Sequence, residues 1–160
     1  MSTRVGYEGA RPVPGLVQSL ARVVTFHLRE DLADHDMAGV RSIHGPLLVQ
    51  LLGGGRRAAE LAETTGVSRQ AMAQVIATLE RDGYIERVAD PGDSRAKLVC
   101  LTATGRAALR LMRSSNSALE DEWRARIGDD RLATLSEILT ELLFHSHGGG
   151  RGRPPGAPTA

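Results

Sequence analysis

The chain has 160 residues, enough for one domain with a real core. Aromatic residues make up 3% of it, so that core must be aliphatic, and 20 basic against 19 acidic residues leave a formal charge of +1. So even a balance excludes a bulk polycation, and any affinity for nucleic acid has to come from local placement of arginine. A single cysteine excludes an intrachain disulfide and fits a reducing cytosol. The opening MSTRVGYEGARPVPG lacks the apolar run of a signal peptide. No stretch approaches the ~20 apolar residues of a membrane span. A cytoplasmic protein with no membrane partner is expected.

Residues 1–14 are polar with Gly and Pro and read as a flexible arm. From Gly15 to about Leu32, Leu16, Leu20, Val23, Val24, His27 and Leu28 recur toward one side of a helix. An acidic connector with His35 follows, to Gly39. Val40 to Leu52 reads as a second helix, with Gly45-Pro46 near its start or kinking it. Gly53-Gly54-Gly55 reads as a flexible connection. It is not a phosphate loop, because no strand precedes it and no Gly-Lys-Ser/Thr follows.

The strongest signal runs from Ala58 to Thr102. Ala58, Leu61 and Ala62 write one face of a short helix, which Thr64-Thr65-Gly66 breaks. Gly66 suits the left-handed position past a helix end. Ser68 is placed to cap a new helix through its hydroxyl, and Val67 and Met72 have the spacing of a hydrophobic staple. That helix runs from Arg69 to about Asp82, with Met72, Val75, Ile76 and Leu79 inward. Outward, near its start, stand Arg69, Gln70, Ala73 and Gln74. Gln bonds adenine bidentately, Arg bonds guanine or phosphate, and a small Ala permits close approach to base edges. Gly83 ends the helix, and Tyr84 folds back on Leu79. Ile85–Ala89 and Ala96–Leu101 read as paired strands about an Asp90-Pro91-Gly92-Asp93-Ser94 turn. Arg95 and Lys97 then stand on a projecting ribbon, where Arg suits a narrow minor groove. Asp93 is placed to hold Arg95 or to shape the turn. Arg56, Arg57, Arg69, Arg81, Arg87, Arg95 and Lys97 lie in or beside this module, so binding to DNA should be salt-sensitive.

Thr102 is placed to cap a long helix to about Arg126, with Ala108, Leu111, Met112, Leu119 and Trp123 along one line. Gly128-Asp129 breaks it. A last helix, from about Asp130 to His145, carries Leu132, Leu135, Ile138, Leu139, Leu142 and Leu143. That stripe is too apolar for a terminal helix facing water and needs a partner. Residues 148–160 are Gly, Pro and Arg without pattern and are expected to be disordered. The fold class is therefore mainly α with a small β-hairpin wing. A winged helix-turn-helix over about 40–102 is flanked by helices over about 15–32 and 103–147 that pack on the chain's own core or, as dimerisation helices, on a second subunit, all within a single domain over 15–147.

The segments LAETTGVSRQAMAQVIATLERDGYIER and DPGDSRAKLVCLTATGR resemble the MarR family of bacterial transcriptional regulators, over roughly Val40 to Leu143. The family's wing reads Asp-x-x-Asp-x-Arg before a strand ending in Leu-Thr and a Gly-bearing helix start. Here Asp90, Asp93, Arg95, Leu101, Thr102 and Gly105 stand in those places. The resemblance implies a homodimer on a helical stalk, each recognition helix reading half of a palindromic operator. Many members are repressors released by small aromatic or phenolic ligands. DNA-contacting roles carry over to Ser68, Arg69, Gln70, Gln74 and Arg95. Gln74 stands where the family often has a basic residue, which leaves the operator sequence open. The family has no fixed effector motif. His27, His44 and Leu48 are named as candidate effector-binding residues from their place on the helices around the family's ligand cavity.

Other chemistry is weaker. No histidine pair has a recognised zinc spacing, so no metal site or cofactor is expected; His27 reads as a packed, hydrogen-bonded core residue, and His44 as a cavity group or an interhelical hydrogen bond. Cys100, in the returning strand near Lys97, reads as a plain strand residue rather than a redox sensor. No nucleophile elbow, Walker loop, dinucleotide fingerprint or zinc-protease motif occurs, so no enzyme is expected. The competing readings are a winged-helix adaptor that binds a ligand or protein without DNA, and a metal- or redox-responsive regulator.

Overall fold

The structure, a computed structural model, describes residues 12–145. The expected arm, up to residue 11, and the tail over 148–160, with Arg151 and Arg153, lie outside the described residues. Eight named elements follow in order: α1 (Val13–Asp34), α2 (Gly45–Gln50), α3 (Ala58–Thr65), α4 (Arg69–Arg81), β1 (Ile85–Asp90), β2 (Asp93–Leu101), α5 (Ala103–Ile127) and α6 (Asp129–His145).

Helix α1 starts two residues before the expected Gly15. Pro14 lies in its first turn, where a missing amide costs nothing because that amide has no helical acceptor. Only its C-terminal half enters the core, through Leu28 and Leu32; Leu16, Val17 and Val23 stay exposed. A helix over Val40–Leu52 does not form as one piece. A 3-10 turn at Ser42–His44 leads into α2. Pro46 cannot donate to a preceding turn, so the α-helix can begin only at its own N-terminal edge.

The Gly53–Gly55 segment is more than a flexible connection. Arg56 exchanges both backbone hydrogen bonds with Val99 (3.1 and 2.8 Å), adding a bridge beside the hairpin. A Cβ on Gly55 would fall 2.6 Å from Cys100 Sγ and 2.9 Å from Leu98 Cβ. Close approach to β2 therefore demands glycine there. The same packing turns the half-buried Cys100 thiol toward Gly55 rather than outward.

Strands β1 and β2 pair antiparallel from Ile85↔Leu101 to Ala89↔Lys97. The expected five-residue turn is tighter than its composition suggests. Asp90 pairs with Asp93 around Pro91-Gly92, and the register shifts beyond Ala89. Ala89 faces Lys97 while its neighbour Asp90 faces Asp93, so residues 94–96 bulge out of the ladder. Bulges re-aim side chains and increase local twist.

One continuous core ties the elements together. Leu28 and Leu32 of α1, Leu48 of α2, Leu61 of α3, Ile76 and Leu79 of α4, Val99 of β2 and Leu109 and Met112 of α5 are all buried in it. Burial of each such side chain is worth roughly 1.5–3 kcal/mol, so the aliphatic content suffices. Helix α6 is different: none of its described side chains is buried. No helix among the described residues is long and apolar enough to cross a membrane.

Candidate nucleic-acid interface

Both helices of the helix-turn-helix are closed by the same device. At the end of α3, Gly66 is left-handed (φ 69°), and its amide donates to Glu63 while that of Val67 donates to Ala62. At the end of α4, Gly83 (φ 78°) donates to Glu80 and Tyr84 donates to Leu79. These are Schellman caps, and each needs a glycine at the left-handed position. Between them the Ser68 hydroxyl accepts the Ala71 amide at 3.1 Å, capping α4. The turn between α3 and α4 is thus held by the Gly66 cap and the Ser68 hydroxyl, and the Gly83 cap fixes where the chain leaves α4.

Met72, Ile76 and Leu79 of α4 are buried and Val75 half-buried, as the periodicity predicts. Arg69, Gln70, Ala73 and Gln74 are exposed, with Ser68 exposed at the cap. Arg95 and Lys97 are exposed on β2, Arg95 within the bulge.

Three structural contacts hold this face in place. The buried Tyr84 ring, its hydroxyl pKa raised by burial, packs against Gly39, where an added Cβ would fall 2.9 Å from Cε2, and so seats the connector after α1 on the end of α4. Thr102 caps α5 by accepting the Gly105 amide (3.0 Å) and donates its hydroxyl proton to the Gly83 carbonyl (2.7 Å). Asp90 accepts the Gly92 amide at 2.8 Å, and its other oxygen accepts Arg57 Nε (2.9 Å) and Nη2 (2.6 Å). The Gly92 amide, and then Arg57, hold the Asp90 carboxyl below its ordinary value. Asp93 shapes the turn by accepting the Arg95 amide (3.1 Å); its carboxylate also lies 3.5 Å from Arg57.

These contacts sort the seven cations that the sequence groups together. Arg57 is paired with Asp90, Arg81 with Asp82 (2.9 Å), and Arg87 with Glu80 (3.5 Å). The Arg56 guanidinium donates to the Gln50 carbonyl. Arg69, Arg95 and Lys97 have no side-chain ion pair among the described residues. Unpaired cations keep their charge available for phosphate, so the effective cationic set is smaller than the sequence suggests. The Arg57–Asp90 pair is separated by 33 positions, and no periodicity announces it.

The histidine assignments need correction. His27 is partly exposed and lies 3.7 Å from Asp31 one turn along α1, so it is a surface partner rather than a core residue. His44 is buried, but its hydrogen bond is local: Nδ1 accepts the Arg41 amide at 3.2 Å. Burial first, and then Arg41, lower its pKa from the ordinary 6.5, against a weaker opposing pull from Asp82. The folded state therefore favours neutral His44. Its contribution is fully present above pH 6.5 and is lost as pH falls below that value, because the unfolded chain binds the proton more readily. Thermal melts of wild type and His44→Gln should converge as pH falls from 7 to 5. A constant gap between them would remove His44 from the acid response.

A groove of about 640 Å³ lies between α1, α5 and α6, walled by Val24, Leu119, Trp123, Leu132 and Leu139 with Asn116 and Ser136 as polar groups. His27, His44 and Leu48 are not among its lining residues, and Leu48 is fully buried in the core. Arg124 closes one end of the groove, paired with Glu120 (2.9 Å), Asp121 and Asp129 (3.0 Å) across the α5–α6 turn. Among the described residues no group of three or more His, Cys, Asp or Glu is placed to hold a metal ion.

Residues 38–96 match the family model of the MarR family. Among solved structures, apo MarR from Escherichia coli is 23% identical, with a TM-score of 0.62, covering 84% of this chain and 99% of that one. A mutant E. coli MarR complexed with operator DNA is 24% identical, with a TM-score of 0.66, covering 82% of this chain and 94% of that one. A transcriptional regulator from Thermotoga maritima is 21% identical, with a TM-score of 0.58, covering 87% and 99% respectively. At these identities the likeness establishes the fold. No curated protein matches the chain in sequence at a significant level.

Proposed function

We propose that the chain, whose residues 38–96 match the MarR family model, is a homodimeric transcriptional regulator that binds duplex DNA. The observation that carries this reading is the pattern on the module. Arg69, Gln70, Ala73 and Gln74 are exposed on a capped α4, and among the described residues Arg69, Arg95 and Lys97 of the module have no ion pair. Arg69, Gln70 and Gln74 read base edges in a major groove, with Ala73 allowing close approach. Ser68 contacts phosphate while capping the helix. Arg95 enters a minor groove and Lys97 borders it. A fold shared with a MarR bound to operator DNA supports the assignment.

The homodimer is supported by an exposed apolar surface on the terminal helices. Val13, Leu16 and Val17 of α1 and Ile138, Leu143 and Phe144 of α6 are all exposed. Such a surface marks an interface, and two-fold pairing makes a palindromic operator the matching target. The regulator acts as a repressor relieved by a small aromatic effector. The groove between α1, α5 and α6, with Trp123 in its wall, is the space for it, in place of a site around His27, His44 and Leu48.

The test is selection from a random duplex pool, followed by titration against salt. A palindrome with half-sites about one helical turn apart is the expected outcome. Arg95→Ala should then weaken binding by about tenfold and reduce the salt slope by about one, and Gln74→Ala should alter base preference more than affinity. Weak binding without sequence enrichment would favour the adaptor reading.

A further inference from the structure

We infer that Arg57 is a wing-positioning residue: its guanidinium latches the Asp90–Asp93 turn to the start of α3 and so sets where Arg95 projects. This inference rests on the proposed role of the wing in DNA binding. It departs from the sequence reading of Arg57 as one more cation facing phosphate.

The geometry is specific. Arg57 sits at the N-cap of α3, and its side chain does not cap that helix. Two of its nitrogens converge on one Asp90 oxygen, at 2.9 and 2.6 Å, while Asp90's other oxygen holds the Gly92 amide. Asp90 keeps only 13% of its side-chain exposure, so the carboxylate is held under the turn. From Asp93 the chain of contacts continues outward. One carboxylate oxygen lies 3.5 Å from Arg57, and the other accepts the Arg95 amide at 3.1 Å. Arg95 lies in the bulge, outside the strand ladder, so the backbone pairing of β1 and β2 does not fix its direction. The Asp93 link to its amide is therefore a main determinant of its position.

A direct phosphate contact and a latch predict different things. If Arg57 contacts DNA itself, Asp90→Asn should strengthen binding by removing a negative charge. If Arg57 is a latch, Asp90→Asn should weaken binding. Asn still accepts the Gly92 amide, so the turn survives and only the tie to Arg57 is lost. Duplex affinity is measured for wild type, Arg57→Ala, Asp90→Asn and Arg95→Ala, and for each of the first two substitutions combined with Arg95→Ala. Amide hydrogen exchange over residues 90–97 is measured on the free full chain.

The expected result is faster exchange at Gly92 and Arg95 in Arg57→Ala. Arg57→Ala and Asp90→Asn should each weaken DNA binding by several-fold, and neither should cost anything further once Arg95 is alanine. Unchanged exchange in Arg57→Ala would overturn the latch whatever the DNA result. Tighter binding by Asp90→Asn, or a full cost of Arg57→Ala in the Arg95→Ala background, would make Arg57 a DNA contact instead. Faster exchange with a silent Arg95→Ala would overturn the wing contact on which the inference depends and leave the latch without that role.

Discussion

Replacing Ile138 and Leu143 together by glutamate is expected to give a folded monomer that binds duplex DNA far more weakly than wild type. Both side chains are about half exposed, at 49% and 57%, so their loss should leave the core untouched and circular dichroism unchanged. Between copies of the chain the consequence differs. An apolar stripe on a helix with no buried side chain among the described residues contributes to stability only when a second surface covers it. Each glutamate buried there would place an unpaired carboxylate in that contact, and two-fold symmetry applies each substitution twice. Sedimentation velocity should show the monomer at micromolar concentration. Losing the second half-site contact removes the gain from bivalent binding, so operator affinity should fall by about 100-fold or more. A double variant that stays dimeric would place the interface elsewhere. A monomeric wild type would sink the homodimer reading.

Gly105→Ala is expected to destabilise the protein by on the order of 3 kcal/mol, at the upper end of the cost of overpacking. The sign is informative because Gly105 lies in α5, and Gly→Ala inside a helix normally stabilises by about 1 kcal/mol. Here the added Cβ would lie 2.0 Å from the Tyr84 carbonyl oxygen and 3.1 Å from Leu101 Cδ2. A backbone atom cannot rotate aside as a side-chain tip can. The same carbonyl accepts the Thr102 amide at 3.2 Å, so α5 would have to retreat from the end of α4 and break that bond. The melting temperature should drop by about 10 °C, measured at fixed protein concentration because the proposed dimer would contribute to it. DNA binding should weaken as well, since the junction sets α4 against α5. A neutral or raised melting temperature would mean that this close approach does not exist in solution.

The local structure of the module is legible because its signals are local. A glycine that must be left-handed, a serine three residues before the amide it accepts, and an apolar face at helical spacing each act over a few positions. Gly66, Ser68, Gly83 and the Met72–Ile76–Leu79 face therefore predict α3, α4 and their caps closely. The same is true of Thr102 and the start of α5. Element ends are less legible where proline is read too simply. Pro14 was compatible with a helix beginning at Val13, and Pro46 confined α2 to a short stretch.

Tertiary structure alone decides which polar residues remain available. Arg57, Arg81 and Arg87 look equivalent to Arg69 and Arg95 along the chain. Among the described residues three of them are ion-paired and the other two are not: Arg81 meets its neighbour Asp82, but Arg57 and Arg87 are reached by carboxylates on other elements. Histidine burial behaves similarly: His27 stays partly exposed beside Asp31, while His44 is buried in the core. The bulge after Ala89, the bridge from Arg56 to Val99 and the groove beside Trp123 are likewise set by the packing of segments far apart in sequence. The sequence by itself determined the order of elements, their caps and their apolar faces, since those follow from dihedral preference and short-range hydrogen bonds. The position of the wing arginine and the choice of free cations depend on distances between remote segments, which only the assembled core defines.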